Sequence, residues 1–345
     1  MRVAATVDNR IGGVQHGDSG PTRCSGGVAV SRVVVLGGTG FVGGAIAGLL
    51  GAGGRPEPGV VAVGLPGSGA AVPRGVPVVE RDLLADPASG EDLLRGADAV
   101  VYALAPAGPR RTAGERMVEA AGRLASAAAR AGVRRWVQVS NVSVYGPGDG
   151  WVEDDTPADP RNPLGEATVR MEETVRRRLA PGPTLGTFLR AGPVYAEDPE
   201  RTGVSASYVD PGLNWLSFVR RDDLAGAVRL ALAGKLPEVC VVADGEPLRA
   251  VEAARLAARW RGCAPRPVPE ATAARFGADA YAVLTSSVRL RPVALLAAGW
   301  RPCAPLRAAT PHPHPAGSAQ PSARSAQPLA GAAQGSAQGG FEGRP

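Results

Sequence analysis

The chain has 345 residues and a formal net charge of +6, and Lys235 is its only lysine among 38 basic residues. Because the arginine clusters have no interleaved aromatic residues, this charge does not predict a nucleic-acid surface. The four cysteines are far apart with no Cys-x-x-Cys pair, and His16, His312 and His314 all lie in predicted tails, so we expect neither a disulfide scaffold nor a metal site.

Residues 1–31 are rich in glycine and polar residues and show no apolar periodicity, which predicts a disordered extension. They contain no apolar core of a signal peptide. The uncharged stretch 33–54 is nominally long enough to cross a membrane, but it is saturated with glycine and is better interpreted as strand, turn and helix. We therefore expect a soluble, cytoplasmic protein.

The most informative stretch is residues 32–50, where four apolar residues end in a run of glycines. Residues 33–36 have the length and bounds of a buried strand of a parallel sheet. Gly38, Gly40 and Gly43 then give the spacing Gly-x-Gly-x-x-Gly before a helix of small residues. Glycine permits the tight turn and lets backbone N–H groups approach a pyrophosphate at the positive end of the helix. This predicts a dinucleotide site, and the alternative is a turn that only allows close helix packing.

Strands and helices alternate along the chain, as is typical of an α/β, doubly wound parallel sheet of the Rossmann type. The helix at 113–131 ends at a glycine, which is a common C-terminal signal. Segment 191–213 carries few structure signals. The predicted strands are 33–36, 60–63, 76–79, 99–104, 136–139, 187–190, 215–219 and 239–242, and the predicted helices are 42–50, 91–95, 113–131, 166–179, 222–233 and 250–261, with a terminal helix and turn within 286–300.

Composition divides the chain further, because residues from about 307 onward are mostly Ala, Gln, Ser, Gly and Pro. We expect a disordered tail over 308–345. The preceding parts are a dinucleotide-binding domain over 32–190 and a small α/β substrate-binding subdomain over 191–307, partly interleaved with the first.

Which dinucleotide binds depends on the end of the second strand. In such folds an acid there binds the ribose 2′-hydroxyl of NAD, and an arginine accommodates the 2′-phosphate of NADP. Residues 64–68 are Gly, Leu, Pro, Gly and Ser and supply neither group, and the nearest downstream basic residue is Arg74. The cofactor is therefore NAD or NADP, and the missing acid slightly favours NADP.

Six motifs occur in an order that resembles a known family. They are GGTGFVG, Asp82–Leu83, YALAP, VSNVSVYG, LRAGPVY and FVRRDDLAGA. This order resembles the extended short-chain dehydrogenase/reductases, the NAD-dependent epimerase/dehydratase group, from about residue 32 to 307. The stretch VYGPGDGWVEDDTPADP is most similar to an atypical branch of that group.

The resemblance implies a set of cofactor contacts. The phosphate loop would contain Gly37, Thr39, Gly40, Phe41, Val42 and Gly43, the adenine would meet Asp82 and Leu83, and the ribose and nicotinamide would meet Ala103, Leu104, Ala105, Ser140, Pro193 and Val194. For residues 103–105, an ordinary strand end explains the sequence equally well.

The resemblance also locates a catalytic set that this chain lacks. The group uses a tyrosine as acid/base, a lysine four residues later on the same helix face, and a nearby serine or threonine. With NPLGEATVRMEE aligned on the motif, these positions hold Leu164, Thr168 and Asn141. The remaining candidates for proton transfer are Ser143 and Tyr145, for which packing or substrate contact is the alternative. Arg190 is expected to form an ion pair or to fix a loop rather than to act in catalysis.

Two functions stay open at this point. The first is an NAD(P)-dependent oxidoreductase or epimerase/dehydratase-like enzyme with a non-standard site, acting on a small carbonyl or alcohol. The second is a non-catalytic dinucleotide sensor or regulatory protein. We expect no nucleic-acid, membrane or metal partner. In related proteins the helices at 113–131 and 166–179 often pair between subunits, which suggests a homodimer by analogy.

Overall fold

The computed structural model describes residues 30–52, 59–68, 72, 75–104, 113–197, 203–276, 281 and 284–309. The predicted extension and tail lie outside these residues, apart from residues 30, 31, 308 and 309. The described strands are β1 Arg32–Leu36, β2 Gly59–Gly64, β3 Val78–Glu80, β4 Ala99–Tyr102, β5 Arg135–Asn141, β6 Trp151–Val152, β7 Leu185–Ala191, β8 Val194–Tyr195, β9 Ser207–Val209, β10 Trp215–Leu216, β11 Val219–Arg220, β12 Val239–Val242, β13 Leu248–Arg249, β14 Arg266–Val268 and β15 Arg289–Leu290.

Helices separate these strands. The described α-helices are α1 Phe41–Gly51, α2 Ala113–Arg130, α3 Pro163–Leu179, α4 Arg221–Leu232, α5 Ala250–Trp260, α6 Glu270–Ala273 and α7 Val293–Ala297. Short 3₁₀ turns cover Pro87–Leu94, Val142–Val144, Ala274–Phe276 and Leu306–Ala308. Within the described residues, no helix is long and apolar enough to span a membrane.

A parallel sheet of seven strands in the order β3-β2-β1-β4-β5-β7-β12 forms the centre of the described structure. This is the doubly wound arrangement predicted from the sequence, with β1 lying between β2 and β4. The order reverses at β1, so a crevice opens beyond the carboxyl ends of β1 and β4, where ligands bind in folds of this kind.

Both faces of the sheet are covered, which explains the continuous apolar run of β1. Val33 and Val35 pack with residues of α1 and α4, whereas Val34 and Leu36 pack with residues of α2 and α3. Each of these side chains is fully buried, which stabilises the fold by about 1.5–3 kcal/mol per residue. Residues 33–36 of β1 therefore point alternately into two cores, and all four are apolar.

Several predicted boundaries were wrong for local reasons. Helix α3 begins three residues before the predicted residue 166, because Asn162 caps it by accepting a 2.9 Å hydrogen bond from the Gly165 N–H and Pro163 occupies its first position. The predicted helix at 91–95 is the end of the 3₁₀ turn Pro87–Leu94, which Asp86 caps. The predicted strand at 76–79 corresponds to β3, which begins two residues later, at Val78.

The C-terminal part departs most from prediction. The predicted strand 215–219 is two short strands, β10 and β11, and the segment with few structure signals contains β8 and β9. The predicted helix and turn within 286–300 begins instead with β15, which pairs with β6. These strands are two or three residues long, too short to give a clear alternation of apolar and polar residues.

Asp223 has a role that the sequence did not indicate. Acidic residues 222 and 223 lie in the first turn of α4, and neither side chain caps the helix. Asp223 is buried, and both of its carboxylate oxygens accept the Cys303 N–H at 3.1 Å. Its main-chain oxygen also accepts the Trp300 indole N–H. Asp223 therefore attaches the C-terminal segment to α4.

Candidate dinucleotide-binding site

The glycine loop between β1 and α1 is sterically restricted. Gly37 has φ +85°, and a Cβ there would lie 2.4 Å from the Ala103 carbonyl oxygen. A Cβ on Gly43 would lie 2.1 Å from the Gly37 carbonyl oxygen. Only glycine fits these two positions, which supports the tight strand-to-helix turn that the sequence predicted.

Gly40 differs from its neighbours, because the protein itself leaves more room there. A Cβ on Gly40 would meet only the Gly37 carbonyl oxygen, at 3.3 Å. Gly40 is the N-cap of α1 and has no side chain with which to cap the helix, and the first turn of the helix has no acidic residue. The positive end of α1 is thus open toward the crevice, as an anion site requires.

Thr39 occupies the space beside the last residue of β2. A Cβ on Gly64 would lie 1.7 Å from the Thr39 hydroxyl oxygen, so no side chain fits at position 64 while Thr39 stays in place. The hydroxyls of Thr39 and Ser68 are 2.8 Å apart and hydrogen bonded. This pair excludes an acid at residue 64 and fixes the turn that follows β2.

The residues expected along the rest of the cofactor have ordinary structural contacts. The Asp82 carboxylate accepts the main-chain N–H groups of Leu84 and Ala85, at 3.1 and 3.0 Å, and Leu83 is buried in the core. The Ala103 N–H donates to the Leu36 carbonyl at 2.8 Å.

The other described residues of that set follow the carboxyl ends of β4 and β7. Leu104 packs against the core beneath α2, and Ala105 lies outside the described residues. The Pro193 carbonyl accepts the Val219 N–H at 3.1 Å, and Val194 pairs with Val219 in the short ladder of β8 and β11.

The three positions that the resemblance aligns with the catalytic set lie together where α3 meets the carboxyl end of β5. Asn141 Nδ2 donates to Thr168 Oγ1 at 3.2 Å, and Thr168 Oγ1 donates to the Leu164 carbonyl at 2.8 Å. Asn141 Oδ1 also accepts the N–H of Ser143, at 2.9 Å, and its hydroxyl. The result is a neutral chain of hydroxyl and amide groups that ends on a main-chain oxygen.

Beside this neutral chain lies a buried charged cluster. Arg190 donates to both carboxylate oxygens of Glu172, through Nη2 at 2.7 Å and Nε at 3.2 Å. Ser140 Oγ donates to Glu172 Oε1 at 2.6 Å, and Arg190 Nη1 donates to the Tyr145 hydroxyl at 3.0 Å. The ion pair expected for Arg190 is confirmed. Glu172 is the residue whose role the sequence missed, although its spacing of four from Thr168 put it on the same helix face.

The electrostatics of this cluster hold Tyr145 and Arg190 in their protonated forms. Burial raises the pKa of the Tyr145 phenol, and the hydrogen bond from Arg190 only partly opposes this. Burial lowers the pKa of Arg190, but the hydrogen bonds and charge of Glu172 outweigh burial, so its pKa lies above the usual value. Tyr145 is buried, with only 4% of its surface exposed to solvent. A buried phenol with a raised pKa is a poor proton-transfer group at neutral pH.

In the part of the chain that the structure describes, no group of three His, Cys, Asp or Glu side chains is placed to bind a metal ion. The fit to a dinucleotide is better supported. The loop is closed to side chains at Gly37 and Gly43, and the N-terminus of α1 is uncapped.

Solved structures share this fold. The UDP-glucose 4-epimerase of Thermus thermophilus, in complex with NAD, is 24% identical and superposes with a TM-score of 0.66 over 79% of this chain and 94% of its own. The dTDP-glucose 4,6-dehydratase DesIV of Streptomyces venezuelae, with NAD and TYD bound, is 22% identical with a TM-score of 0.66 over 81% and 94%. The UDP-glucose 4-epimerase of Thermotoga maritima, with UDP-glucose, is 21% identical with a TM-score of 0.66 over 81% and 96%.

No curated protein sequence matches the chain significantly. The model of the NAD dependent epimerase/dehydratase family matches residues 33–243, which include the glycine loop, the Asn141 to Thr168 contact and the Glu172–Arg190 pair. More than half of the chain is covered by this match. The chain therefore belongs to the NAD dependent epimerase/dehydratase family.

Proposed function

We propose that this chain binds NAD or NADP with the pyrophosphate at the loop 37–43 and the N-terminus of α1. The observation that supports the proposal is the combination of an enforced glycine turn and an open helix N-terminus. The residues toward the dinucleotide would be those of the phosphate loop, with Asp82 and Leu83 on the adenine side, and Ser140, Pro193 and Val194 on the nicotinamide side. A bound nicotinamide supplies hydride transfer, and the protein orients it.

Of the two functions left open by the sequence, the geometry favours a dinucleotide sensor or regulatory protein. The observation that supports this choice is the neutral hydrogen-bonded series that joins Ser143 to Asn141 and Thr168, of which the resemblance aligns the last two with catalytic positions of the family. Hydroxyl and amide groups do not titrate near neutral pH, so none of these three side chains exchanges a proton readily. Tyr145 is buried against Arg190 and does not replace the missing tyrosine.

The test is a calorimetric titration of the full chain with NADH, NADPH and their oxidised forms, followed by a hydride-exchange assay. We expect micromolar binding of at least one pair and no transfer of deuterium from labelled cofactor to a broad panel of small carbonyl compounds. Turnover of any panel member that is lost in Ser143→Ala, but kept in the control Ser126→Ala on α2, would overturn the choice of a sensor.

An enzyme with a non-standard site is the second candidate, and the position of Ser143 is what favours it. Its hydroxyl is only partly buried and donates to Asn141, which leaves its oxygen able to accept a hydrogen bond from a small alcohol. Absence of a general acid reduces a rate by about 10²–10⁴-fold without abolishing it. The hydride-exchange assay above separates the two candidates.

We propose NADP over NAD because of the contact between Thr39 and Gly64. That contact excludes an acid at the end of β2, the residue that binds a free 2′-hydroxyl. Arg74, the nearest basic residue, lies outside the described residues. We expect tighter binding of NADPH than of NADH, and we expect Leu65→Asp, an exposed position, to reverse the preference. Equal affinities in the parent chain would remove this proposal.

We also propose that the protein is a homodimer located in the cytoplasm. Helices α2 and α3 pack closely, with Gly122 against Thr174, and by analogy with related proteins we propose a homodimer through this pair. Light scattering during size-exclusion chromatography tests it, because a monomer mass at all concentrations would exclude it. The described cysteines Cys240, Cys263 and Cys303 are free, which suits the reducing cytoplasm.

A further inference from the structure

Arg221 lies next to the glycine loop although 180 residues separate the two in sequence. It is the first residue of α4, and α4 packs beside α1 in one core, with Leu224 and Val228 in the same cluster as Ile46. Phe41 is the first residue of α1. The guanidinium carbon of Arg221 lies 5.3 Å from the centroid of the Phe41 ring, within the range of a cation–π contact.

The hydrogen bonds of Arg221 leave most of its guanidinium uncommitted. Its Nε is 3.3 Å from Asp222 Oδ1, and in the described part of the chain no acceptor pairs with Nη1 or Nη2. The neighbouring Arg220 differs, because its Nη1 is 3.5 Å from Glu197 and its Nη2 is 3.4 Å from Asp222. Of these two arginines, Arg221 is therefore the one with both terminal nitrogens left for an anion.

We propose that Arg221 is a phosphate-binding residue of the dinucleotide site, held in place by the ring of Phe41. The inference rests on the proposed function. An uncapped helix N-terminus offers only about half a unit of positive charge, and a guanidinium adds a full charge with paired donors that suit phosphate oxygens. The inference also gives a role to Phe41, an aromatic residue that is 38% exposed on the loop.

The charges around Arg221 determine how strongly its replacement should weaken phosphate binding. Asp222 is exposed and shares its charge between Arg220 and Arg221, so it orients Arg221 through Nε without burying the pair. Exposed pairs of this kind are weak and leave the arginine able to turn toward a stronger anion. A charge-assisted contact to phosphate corresponds to about a tenfold change in dissociation constant.

The experiment compares Arg221→Gln with the matched control Arg220→Gln in the full chain. Each protein is titrated with ADP, which carries two phosphates, and with adenosine, which carries none, and weak adenosine binding is followed by ligand-observed NMR. We expect Arg221→Gln to raise the dissociation constant for ADP about tenfold. We expect adenosine binding to be unchanged, and Arg220→Gln to shift ADP binding by less than about twofold.

The outcomes separate the inference from the function on which it rests. If the parent chain binds neither ADP nor any dinucleotide, the proposed function fails. If the parent binds ADP and Arg221→Gln binds it equally well, only the role of Arg221 is overturned. Equal losses for ADP and adenosine, or equal losses in both arginine variants, also overturn it. A two- to threefold loss in Phe41→Leu, for ADP alone, would support the positioning role of the ring.

Discussion

Glu172 and Arg190 form a buried ion pair in which both carboxylate oxygens accept hydrogen bonds from one guanidinium, at 2.7 and 3.2 Å. Glu172 lies on α3 and Arg190 on β7, so the pair joins a helix to the sheet beneath it. Ser140 and Tyr145 add one hydrogen bond each to the two groups, and Arg176 Nη2 lies 3.5 Å from Glu172 Oε2. Both side chains are almost fully buried, so the stability of the fold depends on both partners of the pair being present.

We predict that Glu172→Gln lowers the free energy of unfolding by about 3 kcal/mol, because it leaves the Arg190 charge buried without a counter-charge. Urea denaturation measures the change, and Glu173→Gln, an exposed neighbour on the same helix, is the control. Replacing both partners with methionine is expected to recover part of the loss. A Glu172→Gln variant as stable as the control would contradict the prediction.

The glycine loop allows stability and ligand binding to be separated. A Cβ on Gly40 would lie 3.3 Å from the Gly37 carbonyl oxygen, slightly closer than an ordinary contact, so we predict that Gly40→Ala lowers the free energy of unfolding by only about 1 kcal/mol. We also predict that it weakens dinucleotide binding at least about tenfold, because the methyl group stands where backbone must approach phosphate. Gly148→Ala, with open space around it, is the control for both measurements.

Arginines and tryptophans alternate in a stack at the edge of the C-terminal part. The ring of Trp215 contacts both Arg249, at 3.7 Å, and Arg289, at 4.9 Å, measured from guanidinium carbon to ring centroid. Arg289 in turn lies 4.3 Å from the ring of Trp151. The stack connects β6, β10, β13 and β15, which come from distant parts of the chain.

We predict that Arg289→Met, which keeps the length of the side chain but removes its charge, lowers the free energy of unfolding by about 1–2 kcal/mol because it interrupts two cation–π contacts. Thermal unfolding followed by tryptophan fluorescence measures this loss. Arg259→Met, at an exposed position on α5, is the control. Equal stabilities of the two variants would show that the stack contributes nothing.

The sequence predicted the central sheet well because its strands are buried on both faces. The strand 239–242 matches β12 residue for residue, and its apolar run needs no partner to be recognised. The short ladders were missed because their pairing is decided by distant segments: β15 forms only against β6, which precedes it by more than 130 residues. Local patterns carry no information about such partners.

For the candidate site too, the sequence predicted local features but not the contacts between distant segments. The glycine spacing could be recognised because the loop is a local feature of the sequence. The contact of Arg221 with Phe41 depends on the packing of α4 beside α1, and the exclusion of an acid at Gly64 depends on the rotamer of Thr39. Both are tertiary facts, so a single sequence could suggest the cofactor but not the residues that adjust its binding.

Asp244 gives the fold a pH dependence near neutrality. It is buried, and its oxygens accept the main-chain N–H groups of Leu306 and Glu246, at 2.9 and 3.0 Å. Burial raises the pKa of this carboxyl from 3.8 to about 6, which the two hydrogen bonds do not offset, and the nearby charges of Glu246 and Asp223 add to the rise. The folded protein therefore binds a proton at Asp244 more tightly than the unfolded chain does.

We predict that the stability contributed by protonated Asp244 is fully present below about pH 4 and is lost as the pH rises through about 6, by up to about 3 kcal/mol. The measurement is the free energy of unfolding of the parent chain and of Asp244→Asn between pH 4 and 7. Subtracting the two curves removes the other carboxyls, including Asp98, whose pKa is lowered to about 2 by hydrogen bonds from Ser31. A difference that is flat across this range, or that grows in favour of the parent chain toward pH 7, would contradict the prediction, because an acid with a raised folded-state pKa can only stabilise the fold on the acidic side.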